Sequence, residues 1–427
     1  MDQSVSRARR LQGSVSLPAD KSIGHRTALL SALADGRSRI ENFPSSADPH
    51  STLHCVRQLG IAVEHDGGTV HISGRGLDGL SAPDAPLDCG NSGTTMRLLA
   101  GILAGQPFDS VLTGDASLRS RPMARIADPL NAMGAEVDLT DGHAPIHVSG
   151  GAALQGMTYP LPIASAQVKS CVLLAGLFAE GTTTVIETTP SRDHTERMLG
   201  LDAHATDGER HLTVDGGRRI PARTWHVPGD FSAAAFFLVA GSIVPGSTLQ
   251  LGGVGMNPSR NALLEVLRTM GADITVANER MQGGEPIADL TVRHADLKAA
   301  RVADPLIPNL IDEVPVLAVA AACATGRTVI RDAAELRVKE TDRLDAMAQN
   351  LRALGAEVEE FEDGLAIDGP ASLTGTTVSS FDDHRIAMAM GVAGLVADGT
   401  TTVTEADCAS VSFPTFWDEL QTVATPA

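Results

Sequence analysis

Leu354–Gly355–Ala356–Glu357–Val358–Glu359, followed by Asp363–Gly364–Leu365–Ala366–Ile367, is the stretch that decides the fold. Its first two residues end an amphipathic helical run, and Gly355 suits the C′ position, where the backbone turns left-handed. Ala356 to Glu359 alternates apolar and charged residues, the period of a strand with one covered face. Asp363–Gly364 is a hairpin turn signal, and Leu365–Ala366–Ile367 is the returning strand. The same junction recurs at Leu59–Gly60–Ile61, Met133–Gly134–Ala135, Leu199–Gly200–Leu201 and Met270–Gly271–Ala272.

A second signature precedes most of these junctions. It is an Ala-rich helical run ended by a glycine turn and followed by a Thr/Val/Ile strand. It occurs six times, near Gly36, Gly105, Gly181, Gly246, Gly326 and Gly399, at intervals of 65 to 80 residues. A repeated unit of strand, helix, strand, helix, strand, strand (βαβαββ) therefore accounts for the whole chain. Simple βα alternation does not match that order. The sixth copy ends with a helix over residues 415–423 and lacks its closing strands. The strand-like segment Ser4 to Leu17 is expected to supply them. The expected fold class is α/β in two domains of three copies each. One comprises residues 1–18 plus 228–427 and the other residues 19–227, with crossings at Pro18 and Val227–Pro228.

Composition narrows the function. Of 427 residues, 43% are hydrophobic and 20% charged, an ordinary globular balance. Thirty-three basic residues against 52 acidic ones leave a net charge of −19, which repels nucleic acid and anionic membranes at long range. An anionic ligand must be caught by a local cationic cluster. Aromatic residues are only 3%, too few for stacking platforms along single-stranded nucleic acid. Five scattered cysteines fit a reducing compartment. No uninterrupted apolar run reaches a membrane-spanning length, and Met1 to Arg10 has arginines but no apolar region after them, so neither a membrane span nor a secretory signal is expected.

The residues opening the six Ala-rich helices carry the chemistry. They are Ala19–Asp20–Lys21–Ser22, Gly90–Asn91–Ser92–Gly93–Thr94, Ala164–Ser165–Ala166–Gln167, Gly229–Asp230–Phe231–Ser232, Pro308–Asn309–Leu310–Ile311–Asp312 and Asp382–Asp383–His384–Arg385. All contain N-cap residues, and Ser232 reads as a cap only. Capping does not call for Lys21, Arg26, Gln167 or Arg385. Helix N-termini present N–H groups and a positive dipole to anions. Two domains with three such tips each are expected to face one another across a cationic cleft selecting phosphorylated or carboxylated small molecules. Arg97, Arg119, Arg121, Arg192, Lys339 and Arg343 fall at matching places in the repeat. Two carboxylates stand among the cations. Asp312 is expected to begin the fifth helix, and Glu340 lies between Lys339 and Arg343. Both are open to proton transfer. There is no GxxxxGK[ST] loop, complete dinucleotide fingerprint, HExxH or GxSxG. No metal or organic cofactor is expected.

Lys21–Ser22–Ile23–Gly24–His25–Arg26, Gly90 to Arg97, Arg121–Pro122–Met123, Arg337 to Arg343 and Asp382 to Arg385 occur in the order found in a known family. Together they make residues 12–420 resemble the 5-enolpyruvylshikimate-3-phosphate (EPSP) synthase family of enolpyruvyl transferases. The resemblance implies an inside-out α/β barrel of two domains, each three copies of one unit. It implies transfer of the enolpyruvyl group of phosphoenolpyruvate to the 5-hydroxyl of shikimate 3-phosphate, with release of phosphate, in the shikimate pathway of aromatic amino-acid biosynthesis. By the same resemblance, Lys21, Ser22, Arg26, Ser165, Gln167, Ser191, Arg192, Asp312 and Lys339 would hold shikimate 3-phosphate. Lys21, Gly93, Arg121, Gln167, Arg343, His384 and Arg385 would hold phosphoenolpyruvate, the place where glyphosate would compete. Asp312, Glu340 and Lys21 would be catalytic. A cytoplasmic monomer is implied, with small anionic substrates as its partners and neither nucleic acid nor membrane.

Three positions depart from the best-known family pattern. Ala166 stands where a second serine is common. Asp193–His194 replaces a Pro-Tyr pair, and Val411 stands where a lysine often reaches phosphoenolpyruvate. The first two features resemble a second sequence class of the family. Two alternatives differ in kind. A UDP-N-acetylglucosamine enolpyruvyl transferase would usually carry a cysteine within Leu118 to Pro122, and this chain has none there. A non-catalytic anion-binding protein has no use for Asp312 and Glu340.

Overall fold

The computed structural model of the chain describes residues 1–206 and 208–426. It divides into two compact units, one of Met1–Pro18, Pro228–Gln282 and Pro286 onward, the other of Ala19–Val227 with Gly283–Glu285.

In the 19–227 unit, the strands Leu87–Asp88, Ser110–Thr113, Glu136–Thr140 and His143–Ser149 form one sheet in the spatial order first, second, fourth, third. The first pair is parallel and the others antiparallel. Thr158–Pro160, Thr182–Glu187, Ala203–Thr206 and Glu209–Asp215 repeat that order. A helix follows each of the first two strands, which makes the βαβαββ unit. In the remaining copy, the opening strand comes from the far end of the segment. Thr224–His226 runs parallel to Ala34–Glu41.

The other unit closes on itself in a related way, with a difference from expectation. The N-terminal segment does not supply two closing strands to the sixth copy. Gln3–Ser6 pairs antiparallel with Thr400–Thr404 and fills one closing position. Ala8–Val15 instead runs parallel to Thr248–Gly255 and opens the fourth copy. The C-terminal Ala424–Pro426 then pairs with its other edge. A closing strand must run antiparallel to its neighbour and an opening strand parallel, so one segment, interrupted at Arg7, serves two sheets.

Glycines place the helix ends. Gly355 has φ +100°, and Gly60, Gly134, Gly200 and Gly271 are also left-handed, as the Leu-Gly and Met-Gly junctions predict. Gly105 is the exception among the six Ala-rich turns, for its φ is not positive.

Each unit has its own core, aliphatic but for Phe43 and Trp225 among the aromatics in the 19–227 unit, and supplemented by Phe231, Phe236, Phe237, Phe413 and Phe416 in the other. The helices Phe231–Ile243 and His384–Gly394 are buried on every side, and Val314–Cys323 nearly so. Apolar residues all round a helix need that environment, and these three pack on one another. In the 19–227 unit, Gly101 lets the Gly93–Leu103 helix approach Ala166–Gly176 closely. A Cβ there would lie 2.3 Å from the Cys171 carbonyl oxygen.

Candidate active site

The site residues of the 19–227 unit gather at the starts of its central helices. Asp20, Ser92 and Ser165 cap Lys21–Ala32, Gly93–Leu103 and Ala166–Gly176, accepting from the backbone N–H groups of Ile23, Thr95 and Val168. Each cap satisfies one N–H that the helix leaves open. Lys21 pairs with Asp48 at 3.0 Å. Arg26, one turn further in, is buried. It donates to the Ser22 carbonyl (2.9 Å), Thr195 Oγ1 (2.7 Å) and Ser170 Oγ (2.9 Å). Burial pushes its guanidinium down to about 10, and the charge of half-buried Arg192 adds to that against the pull of Glu196 and Asp20. Ser191 donates its hydroxyl to Glu187 at 2.5 Å.

Gln167 bridges two tips. It accepts from Arg97 (2.6 Å) and donates to Thr94 Oγ1 (3.0 Å). Gly93 lies under the same guanidinium. A Cβ built there would come within 2.9 Å of Arg97 Nη1 and 3.6 Å of Arg121 Nη1. Arg121 donates to Asn91 (2.8 Å) and Ser117 (3.3 Å). Arg97 thus belongs with Gly93, Arg121 and Gln167, although only its position one turn past Gly93 hints at this in the sequence. Arg119 does not join them; it is exposed at the end of the short helix Ala116–Arg119.

The other unit holds a denser cluster. Arg343 is buried and donates to Asp383 (2.7 Å) and Glu340 (2.6 Å), with Asp312 at 3.4 Å. Burial works against its charge, but Asp383, Glu340 and Asp312 outweigh it and hold the guanidinium above its usual range. Arg385 lies 3.6 Å from both Asp312 and Glu313 and donates to Ser232 (2.9 Å) and the Asp312 carbonyl (3.1 Å). Asp312 is therefore shared by two guanidiniums. Lys339 is half-buried, and desolvation lowers its ammonium below its usual range despite Asp312, Glu335 and Glu340. His384 is buried, its Nδ1 3.9 Å from Asp383.

Two expectations change here. Asp312 does not begin the fifth helix. It sits in the single 3-10 turn Ile311–Glu313, and the helix proper is Val314–Cys323. Pro315 has no N–H to donate back to Ile311, so the regular ladder cannot extend over Asp312. Ser232 is not a cap. Asp230 does the capping, and the Ser232 hydroxyl lies between Glu313, Arg260 and Arg385. Glu313 and Arg260, paired at 2.7 Å, were missed by sequence reasoning because neither stands in a repeated tip position. Val411 ends the 3-10 stretch Ala406–Val411, and its neighbour Ser412 lines a small pocket with Asp230, Ser232 and Arg385.

The model of the EPSP synthase (3-phosphoshikimate 1-carboxyvinyltransferase) family matches residues 5–420. A 3-phosphoshikimate 1-carboxyvinyltransferase of Salinibacter ruber is 67% identical over 99% of this chain and 100% of its own length. Among solved structures, an EPSP synthase from Acinetobacter baumannii superposes with a TM-score of 0.89 at 43% identity, covering 100% of this chain and 98% of that one. The enolpyruvyl transferase NikO from Streptomyces tendae, at 20% identity and a TM-score of 0.77 over 98% of this chain and 96% of that one, shares the fold. With the repeated βαβαββ unit, two open-sheet α/β units and these matches along its length, the chain belongs to the EPSP synthase family.

Proposed function

We propose that this chain transfers the enolpyruvyl group of phosphoenolpyruvate to the 5-hydroxyl of shikimate 3-phosphate, with release of inorganic phosphate. One observation carries the reading. Two carboxylates able to move protons, Asp312 and Glu340, converge on one buried guanidinium, Arg343, in a chain 67% identical to a 3-phosphoshikimate 1-carboxyvinyltransferase.

The chemistry asks for a base, an acid and cations. The 5-hydroxyl oxygen bonds to C2 of phosphoenolpyruvate as its proton leaves to Asp312, and C3 takes a proton from Glu340. The resulting tetrahedral adduct then loses phosphate, which leaves with the proton that Asp312 took, while C3 returns its proton to Glu340. Both substrates are anions, so their mutual repulsion must be screened before the oxygen can reach C2. Lys21, Ser22, Arg26, Ser165, Gln167, Ser191, Arg192 and Lys339 bind shikimate 3-phosphate in this reading. Gly93, Arg121, Arg343, His384 and Arg385 bind phosphoenolpyruvate, with Lys21 and Gln167 alongside. Arginine forks suit phosphate and carboxylate, and the Lys21 ammonium acts as a point charge between them. The working form is a cytoplasmic monomer whose partners are these small anions.

The test is phosphate release from phosphoenolpyruvate with alternative acceptors. Release with shikimate 3-phosphate is the expected result. Release only with UDP-N-acetylglucosamine, or with neither acceptor, overturns the reading.

A further inference from the structure

The helix that carries Ser165 and Gln167 at its start hides a charge one turn further in. Lys169 is completely buried between two carboxylates, with Nζ 2.9 Å from Glu187 Oε1 and 2.8 Å from Glu196 Oε1. Its third hydrogen goes to the Ser191 carbonyl at 3.2 Å. An ammonium has three donors, and all three are used. Glu187 Oε1 also accepts the backbone N–H (3.0 Å) and hydroxyl (2.5 Å) of Ser191. Lys169 and Glu187 therefore hold Ser191 at its carbonyl, its amide and its side chain.

The next residue grips the helix that follows this loop. Ser170 Oγ lies 2.6 Å from Thr195 Oγ1, and Arg26 donates to both hydroxyls. Segment 188–193 has no regular structure between the strand Thr182–Glu187 and the helix His194–Leu199. Burying an ammonium and two carboxylates is a poor route to stability, because desolvation offsets their attraction. An apolar side chain of similar volume fills the space as well. It cannot orient a carbonyl and an amide at once.

We propose that Lys169 is a positioning residue, which with Glu187 locks the Ser191–Arg192 loop to the helix bearing Ser165 and Gln167, so that the phosphate of the acceptor meets a preformed loop rather than one it must order. This rests on the assignment of Ser191 and Arg192 to shikimate 3-phosphate made above. A preformed loop loses little freedom on binding, so the clamp acts on acceptor affinity rather than on the chemical step.

Two measurements test it. In Lys169→Met, the KM for shikimate 3-phosphate should rise at least tenfold, while the KM for phosphoenolpyruvate and kcat at saturation change less than threefold. Unchanged constants, or an equal rise in both KM values, overturn the proposal. In Glu187→Gln, which keeps side-chain size and guards against failure of the first variant to fold, amide hydrogen exchange over residues 188–193 should quicken at least tenfold. Exchange within the Gly93–Leu103 helix should not change. Equal rates in variant and parent over 188–193 overturn the clamp. That exchange readout needs no substrate, so it stands even if the parent fails to turn over shikimate 3-phosphate, a failure that counts against the functional assignment instead.

Discussion

Arg26 and Arg343 are both buried arginines at central helices, one in each unit, and their surroundings are opposite. Arg26 hydrogen-bonds to a carbonyl and two hydroxyls, all neutral, and burial depresses its charge to about 10. Arg343 is buried just as deeply, yet Asp383, Glu340 and Asp312 hold it above its usual range. A guanidinium braced by dipoles keeps its positive field for an incoming anion. One braced by carboxylates has spent that field on groups that can themselves take or give protons. In the proposed reading the Arg26 tip suits ground-state binding of the acceptor anion, while the Arg343 cluster, which also takes phosphoenolpyruvate, holds the two carboxylates that move protons.

Glu340→Gln tests the second half of that contrast and carries the largest expected effect. The amide keeps an acceptor for Arg343 but cannot donate a proton as an acid. Turnover should fall by roughly 10²-fold or more, with both KM values within a few-fold. Steady-state kinetics checks it, and unchanged turnover removes Glu340 from the chemistry. Arg26→Gln tests the first half. Removing one member of a buried, charge-assisted contact costs about 2–5 kcal/mol in binding, so the KM for shikimate 3-phosphate should rise roughly 100-fold with a much smaller change in kcat. If the two variants show the same pattern, the division of labour between the units fails.

Much of this was legible before any coordinates. The repeat follows from five Leu-Gly or Met-Gly junctions because a left-handed helix end is a local, steric demand that glycine alone meets cheaply. The tip residues were legible because capping needs particular side chains at particular places. Three features were not. The N-terminal segment divides between two sheets because pairing is a long-range choice, and both halves read equally well as strand. Asp312 lies in a 3-10 turn because of Pro315, three residues downstream of the tip motif. Glu313, Arg260 and Lys169 look like ordinary surface charges in the sequence. Only tertiary packing reveals that each is buried and paired.

The depressed charge at the Arg26 tip extends to its neighbour. His25 is buried against Thr52 (2.7 Å), and desolvation, with Lys21 and Arg26 adding to it, pushes its imidazole down to about 3 despite Asp48. The ring is neutral in the folded chain and protonates in the unfolded chain near 6.5. Between those values the unfolded state binds the extra proton. The stability contributed by neutral His25 is therefore full above about pH 6.5 and is lost as pH falls toward 3. Each pH unit in that window removes up to ~1.4 kcal/mol, so going from pH 6.5 to 5 should cost about 2 kcal/mol from this residue. Urea unfolding of the parent and of His25→Gln at both pH values measures it. Equal losses in the two proteins show that His25 is not the source, and that burial at this tip depresses its ring less than this reading requires.

Gly93→Ala produces the smallest effect and sharpens the comparison most finely, because it alters shape without altering charge. The added methyl would stand 2.9 Å from Arg97 Nη1, closer than carbon and nitrogen tolerate. Arg97 is anchored to Gln167 at 2.6 Å, so it cannot simply swing away, and the adjustment falls on the donors around Gly93. Phosphoenolpyruvate is small and should lose only a few-fold in KM. Glyphosate, which is longer, should lose about tenfold more than the substrate, equivalent to ~1.4 kcal/mol. Inhibition constants measured beside KM in the same variant decide it. Equal weakening would mean that the methyl displaces the Arg97 and Arg121 guanidiniums, which both ligands would share, rather than crowding the longer one, and the tip would then resemble the Arg343 cluster, where charge pairing rather than space sets what can bind.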